Sequence, residues 1–290
     1  MSSKEIQVRQ NQELQLKIQY AARECYNTAE KLNYWVWGLC ILSFVIGFLP
    51  NESGSVLLSV GSILYDVLAF LLNIALVKKN SNAAMLRKHF DDCVLKIGCE
   101  ECSTSRETFE LVEKICAKHP QKFATQIKNS GNDSPPGVKD WYSFSKKYEG
   151  SEAQFECQRM NAWWDSKLSQ WRLGLAITST VILMGAVFYL APIKGIWTII
   201  VCLVGIMLKL IERAREYILY YQLSYKISGV MEIIRLNQPP DEKALVVLQD
   251  LINQRRSTSV FGVNFVLYFQ LIRGNFKAFF KSEELKWYLI

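Results

Sequence analysis

Apolar residues gather in four stretches along this chain, 34–49, 55–77, 173–191 and 196–211. Each approaches the roughly 20 mostly apolar residues that an α-helix needs to cross a bilayer. The first and fourth are short, and Trp35, Trp37 and Trp197 extend them as headgroup-level anchors. The pattern therefore predicts four membrane helices.

Between the stretches the period is that of amphipathic helices. Leu14, Ile18, Ala21, Cys25 and Leu32 keep one helical face and run into Tyr34 with no Gly or Pro between. Ala83, Leu86, Phe90 and Val94 continue the second stretch in the same way. The fourth continues to Leu236, interrupted only by Gly229, until Pro239-Pro240 forces a break. Asp241 is placed to cap a helix over 242–255, and Ser103, Thr104 and Ser105 to cap one reaching about Ala117. The Asn, Ser, Gly, Asp and Pro cluster at 129–137 predicts a loop, and 153–170 an amphipathic helix bringing Trp163, Trp164 and Trp171 to the interface. The expected fold is all-α: four transmembrane helices extending into a helical cytoplasmic domain. Its segments are an N-terminal helix (1–33), helices 1 and 2 (34–77), a central cytoplasmic segment (78–170), helices 3 and 4 (171–211) and a C-terminal cytoplasmic segment (212–290).

Charge sets the orientation. Lys31, Lys78, Lys79, Lys167, Arg172, Lys209 and Arg213 flank one side of the stretches. The link 50–54 has no basic residue, and the link between the third and fourth stretches has only Lys194. Basic flanks stay inside, so both termini are expected in the cytoplasm. The first 33 residues carry no signal-like apolar core, which makes the first stretch an anchor that stays. Eight scattered cysteines in such a chain predict reduced thiols. A net charge of +7, mixed with acids, suits anionic lipid or an anionic ligand and gives no case for DNA or RNA.

In the second stretch Ser55, Ser59, Ser62, Asp66, Ala69 and Asn73 follow steps of four and three along one face. An intramembrane acid such as Asp66 faces protein or water, so the stripe (Ser59, Ser62, Asp66, Asn73) lines a pore or packs against other helices. Lys209 is expected to snorkel to the inner surface. Cys99, Cys102, Cys116 and His119 have zinc-ligand types, but a helix between the pairs holds them on the order of 20 Å apart, so no metal site is expected. His89 and His119 are expected on solvated faces. Serine-hydrolase, phosphate-loop and zinc-protease motifs are absent from the sequence, which argues against an enzyme. Aromatic and basic residues adjoin at Lys139, Trp141 and Tyr142, at Arg159 and Asn161, and at Arg255 and Arg256. Such groups stack on bases and hold phosphates, or anchor at the interface and face anionic lipid.

These passages carry a resemblance. Val138-Lys139-Asp140-Trp141-Tyr142, Cys157-Gln158-Arg159-Met160-Asn161 with Trp164-Asp165-Ser166-Lys167-Leu168, and Leu248-Gln249-Asp250-Leu251-Ile252 with Asn253-Gln254-Arg255-Arg256-Ser257 follow in order. With the two-plus-two layout of spans, the chain resembles the SMODS-associating four-transmembrane effectors of bacterial cyclic-oligonucleotide anti-phage defence (CBASS). Val260-Phe261-Gly262 stand where such proteins often have Pro and Trp. The resemblance implies an effector of the bacterial inner membrane without catalytic residues or cofactor. Its activating ligand would be a cyclic oligonucleotide made by a partner nucleotidyltransferase, and its action membrane damage that aborts infection. A single four-helix bundle is too narrow for a wide pore, so a homo-oligomer in lipid is expected. The other readings are a non-conducting scaffold or sensor recruiting a cytoplasmic partner, and a small transporter.

Overall fold

The computed structural model describes residues 1–47, 56–98, 102–144, 147–162, 196–237 and 239–258, with 178, 181, 182, 185 and 189 singly. Among these, every regular element is a helix. The third predicted stretch, 173–191, lies almost wholly outside the described residues, as do Trp163, Trp164 and Trp171.

Helix α1 is Ser3–Gln10 and α2 is Glu13–Gly47. Ser2 caps α1 reciprocally with Glu5: its Oγ accepts the Glu5 N–H, and the Glu5 carboxylate accepts the Ser2 N–H at 2.6 Å. The segment 1–33 is thus two helices, the first closed at its C-cap Asn11, where a backbone N–H donates to the Arg9 carbonyl. From Glu13 the chain stays helical through Tyr34 and into the first apolar stretch.

α3, Val56–Leu95, runs 40 residues and pairs antiparallel with α2. Ser43 lies opposite Ser62, Ala29 opposite Leu76, and Gln19 opposite Arg87. A seven-residue repeat holds the seam. On α3 it reads Ser62, Ala69, Leu76, Ala83, Phe90; on α2 it reads Gln15, Ala22, Ala29, Val36, Ser43; all ten are buried. That period keeps one seam facing its partner along two long helices. Small residues recur in it, which lets the backbones approach.

Helix α4, Arg106–Lys118, starts at Ser105, whose Oγ accepts the Thr108 N–H. Helix α5, Pro120–Lys128, follows at once, with Pro120 at its first position. Lys17–Glu113 and Lys122–Glu24 ion pairs, at 2.9 and 2.6 Å, tie both to α2. The loop after α5 closes on itself, Gly137 N–H donating to the Ser130 carbonyl and Val138 N–H to that of Gln126. Residues 150–162 form α6. Helix α7, Ile196–Leu236, passes Gly229 without a break, and α8, Glu242–Ser257, follows the prolines. Asp241 sits at the α8 N-cap with extended backbone but makes no side-chain cap bond.

The main core lies at the end of the hairpin away from the 48–55 link. Ile6, Ile18, Leu86, Phe90, Val94, Val112, Tyr142, Phe155, Ile227, Leu245 and Ile252 all belong to it. Toward the link the hairpin has only a thin seam, and its outer face is apolar and exposed: Ile63, Leu64, Val67, Phe70, Leu71 and Ile74 on α3, Ile41, Leu42 and Val45 on α2. Among the described residues one helix, Val60–Leu95, is long and apolar enough to cross a membrane, with a mean hydropathy of 2.1. Its apolar window is only 17% buried, an exposed apolar face larger than soluble monomers ordinarily carry.

Candidate functional site

The described parts of the three passages that carried the resemblance converge at the bottom of α3; residues 164–168 lie outside the described residues. Asp91, 2% exposed, is the centre. Its Oδ1 accepts from the Tyr142 hydroxyl at 2.6 Å. Its Oδ2 accepts from Arg256 Nη1 at 2.6 Å and from Gln249 Nε2 at 2.9 Å. Asn161 Nδ2 donates to the Tyr142 oxygen at 2.9 Å, and Gln158 Nε2 to Gln249 Oε1 at 3.1 Å. One carboxylate therefore links α3, the segment after the loop, α6 and α8.

The surroundings fix this arrangement. Gln10 brackets the Tyr142 backbone, accepting its N–H at 2.7 Å and donating to its carbonyl at 3.0 Å. Asn80 Nδ2 donates to the Ser257 and Thr258 carbonyls at the end of α8. Arg255, 1% exposed, donates to the Asn161 carbonyl at 3.3 Å and lies over the Tyr220 ring. Burial alone would lower the Arg256 pKa, but Asp91 against it raises it overall. Burial, then the Asp91 charge, pushes the Tyr142 hydroxyl well up.

Of the residues proposed from sequence, Tyr142, Asn161, Arg255 and Arg256 meet here. Trp141 lies beside them, half-buried under the Arg87 guanidinium at 3.9 Å. Burial, with Arg256 close by, lowers Arg87 to about 10. Lys139 is exposed on the loop side, and Arg159 pairs with Glu156 on α6 at 2.7 Å. The junction is closed: both buried arginines already hold protein acceptors. Sequence reading missed Asp91, Gln249 and Gln10. The signal for Asp91 was a continuation of the stripe. Asp66, Asn73, Asn80 and Arg87 recur every seven residues, and Asp91 follows one turn on.

Higher on α3 the stripe faces other helices. The Ser62 and Ser43 hydroxyls meet at 2.8 Å. Lys209, 4% exposed, donates to Asn73 Oδ1 at 2.6 Å and pairs with Glu212 at 2.8 Å. The expected snorkelling of Lys209 is thus corrected: Asn73 and Glu212 hold its ammonium between α3 and α7. Asn33 on α2 accepts from Arg213 one residue further on. One Asp66 oxygen is buried without a hydrogen-bond partner among the described residues. The side chain of Ser59 lies outside them.

The Cys/His residues regroup. Cys99 lies outside the described residues, Cys116 is buried in the core at the far end of α4, and His119 is exposed between α4 and α5. Cys102 instead meets Cys93 and His89, and the two sulfurs are joined as a disulfide. Two expectations are corrected here. Not all thiols are free, and His89 is turned inward, because Lys96 (φ 52°) and Gly98 (φ 66°) turn the chain sharply after α3 and bring 102–104 against it. Cys25, Cys40, Cys116 and Cys157 are free and buried.

The architecture defines a class: an all-helical protein with a lipid-type apolar face on one half of a long hairpin and a polar-latched helical core on the other. The chain belongs to the family described as the SMODS-associating 4TM effector domain, whose model matches residues 4–265. It is accordingly a membrane protein. No curated protein and no solved structure matches it.

Proposed function

We propose that this chain is the membrane effector of a bacterial anti-phage system, switched by a cyclic oligonucleotide from a partner nucleotidyltransferase and acting by permeabilising the inner membrane. The family's description supports the link to such an enzyme. In this reading the chain crosses the bilayer four times, with 173–191 as the third span and both termini cytoplasmic. It acts as a homo-oligomer, without catalysis.

One observation carries the reading. The face of α3 that holds Asp66 and Asn73 in the apolar half also holds Asn80, Arg87 and Asp91 in the polar half, with no break in the helix between. A phosphate competes with a carboxylate for guanidinium. A ligand phosphate that takes Arg256 frees Asp91, loosens α8 from α3, and lets α3 turn or tilt. Trp141, Tyr142 and Asn161 lie at this point and would supply stacking and polar contacts, and this reading adds Lys139 and Arg159 as further basic groups for the ligand. The ligand shifts the balance only by its preference for the unlatched state.

The test is dye release from inverted inner-membrane vesicles holding the folded protein, with cyclic di- and trinucleotides added outside. Release with one nucleotide is expected, and Arg256→Ala, which breaks the latch and removes the phosphate's partner, is expected to leak to the same extent with and without it. Asp91→Asn is expected to leak without any nucleotide. Silence towards the whole panel, with Asp91→Asn equally tight, would move the reading to a non-conducting scaffold.

A further inference from the structure

His89 and Cys93 stand one turn apart on α3, the spacing at which two helical side chains share a face. The turn through Lys96 and Gly98 brings Cys102 back to them. The Cys93 sulfur is 3.7 Å from His89 Nε2, and the Cys102 sulfur 3.9 Å from Nδ1. One ligand atom from each residue lies within 4.8 Å of the others, all half-buried. Tetrahedral zinc, with bonds of about 2.3 Å to sulfur and 2.0 Å to nitrogen, needs sulfur–nitrogen edges of about 3.6 Å. Each sulfur stands close to that distance from a different ring nitrogen, so binding through Nδ1 needs the Cys93 sulfur to move towards it from its place beside Nε2.

We propose that His89, Cys93 and Cys102, with both sulfurs reduced, bind one thiophilic divalent ion, zinc by first preference. The disulfide is the other state of the same two sulfurs, and the two states exclude each other. The cytoplasmic placement proposed above favours the dithiol, since that compartment keeps thiols reduced. In the metal-bound state the sulfurs stand about 3.8 Å apart on the ion, and a water fills the fourth position. The Thr104 hydroxyl, 2.9 Å from His89 Nε2, orients the ring from outside and leaves Nδ1 for the metal. The ion clamps the 102–104 segment to the end of α3 two residues from Asp91, so it stiffens the carrier of the latch.

Cobalt reports thiolate ligation directly. Full-length protein in detergent, stripped of metal and reduced under anaerobic conditions, is titrated with Co2+. One ion per chain is expected, with thiolate-to-cobalt absorption and tetrahedral visible bands, both bleached by zinc. Cys93→Ser and Cys102→Ser each remove most of the thiolate band, and His89→Gln weakens binding at least tenfold, whereas Cys116→Ser changes neither. Absence of the band in protein whose two extra thiols are counted by a thiol reagent overturns the site. So does its persistence in the Cys93→Ser/Cys102→Ser double variant, or a Cys93–Cys102 crosslink in cells alkylated at lysis. Vesicle leakage does not enter this readout, so failure of the effector reading leaves the outcome separable.

Discussion

Arg256 Nη1 lies 2.6 Å from Asp91 Oδ2, joining the last described helix to the third across 165 positions of chain. Asp91 is buried and the Arg256 side chain only 10% exposed, and the same carboxylate carries Tyr142 and Gln249. A buried pair contributes little net stability, but breaking it by removing one partner strands a charge. Arg256→Ala is therefore expected to destabilise the detergent-solubilised protein by about 3–5 kcal/mol. Adding Asp91→Asn to it is expected to recover part of the loss. A double-mutant cycle on unfolding measures this, and purely additive losses would show that the two groups do not interact.

Tyr142→Phe removes one hydroxyl that donates to Asp91 and accepts from Asn161. Two buried groups lose a partner, at a cost of about 1–3 kcal/mol. Gln10→Ala, which frees the Tyr142 backbone, is expected to cost a similar amount. Thermal unfolding of both variants tests whether the latch needs its outer bracket.

A Cβ on Gly137 would sit 1.7 Å from the Asn129 carbonyl oxygen, which is backbone and cannot turn aside. Gly137→Ala is expected to spring the 129–138 loop open and cost at least roughly 1–3 kcal/mol of overpacking. Faster proteolysis within 129–138, with α4 and α5 still protected, is the signature. An unchanged cleavage pattern would mean the loop tolerates a wider closure.

Lys209→Met leaves Glu212 facing Asn73 without its cation. The single variant is expected to lose stability, and Lys209→Met/Glu212→Gln to regain most of it, since a neutral pair has no charge to strand. Thermal stability in detergent separates the two. If the single variant is as stable as the parent, the lysine reaches water after all.

Burial pushes the Cys116 thiol from 9.0 up to about 11. The folded protein then holds a proton that the unfolded chain gives up, so stability is lost as pH rises from about 9 to about 11. Cys116→Ala is expected to flatten that part of the profile while lowering stability at neutral pH. At pH 7 Cys116 is expected to react slowly with a maleimide until the protein is unfolded.

Helix period and breakers were legible from the chain. The run from Leu14 through Tyr34, the passage through Gly229, the Ser105 start of α4 and the break at Pro239-Pro240 all depend on neighbours within a turn or two. The capping box at Ser2 and Glu5 was equally local, and it went unread because the long amphipathic period beside it was stronger. The three passages around Tyr142, Asn161 and Arg256 were found as chemistry, but not as one place.

What the sequence determined alone is the long helical periods, their apolar faces and the positions of the basic flanks, because each is a property of a short window. What only the tertiary structure decided is who meets whom. Asp91 was unremarkable until Arg256, Tyr142 and Gln249 closed around it, and Lys209 looked free to snorkel until Asn73 took its ammonium. Cys102 had plausible partners downstream in sequence, yet a tight turn gave it Cys93 and His89. Polar side chains state what they need but not where they find it, because any complementary group serves and only the packing of the helices chooses among them.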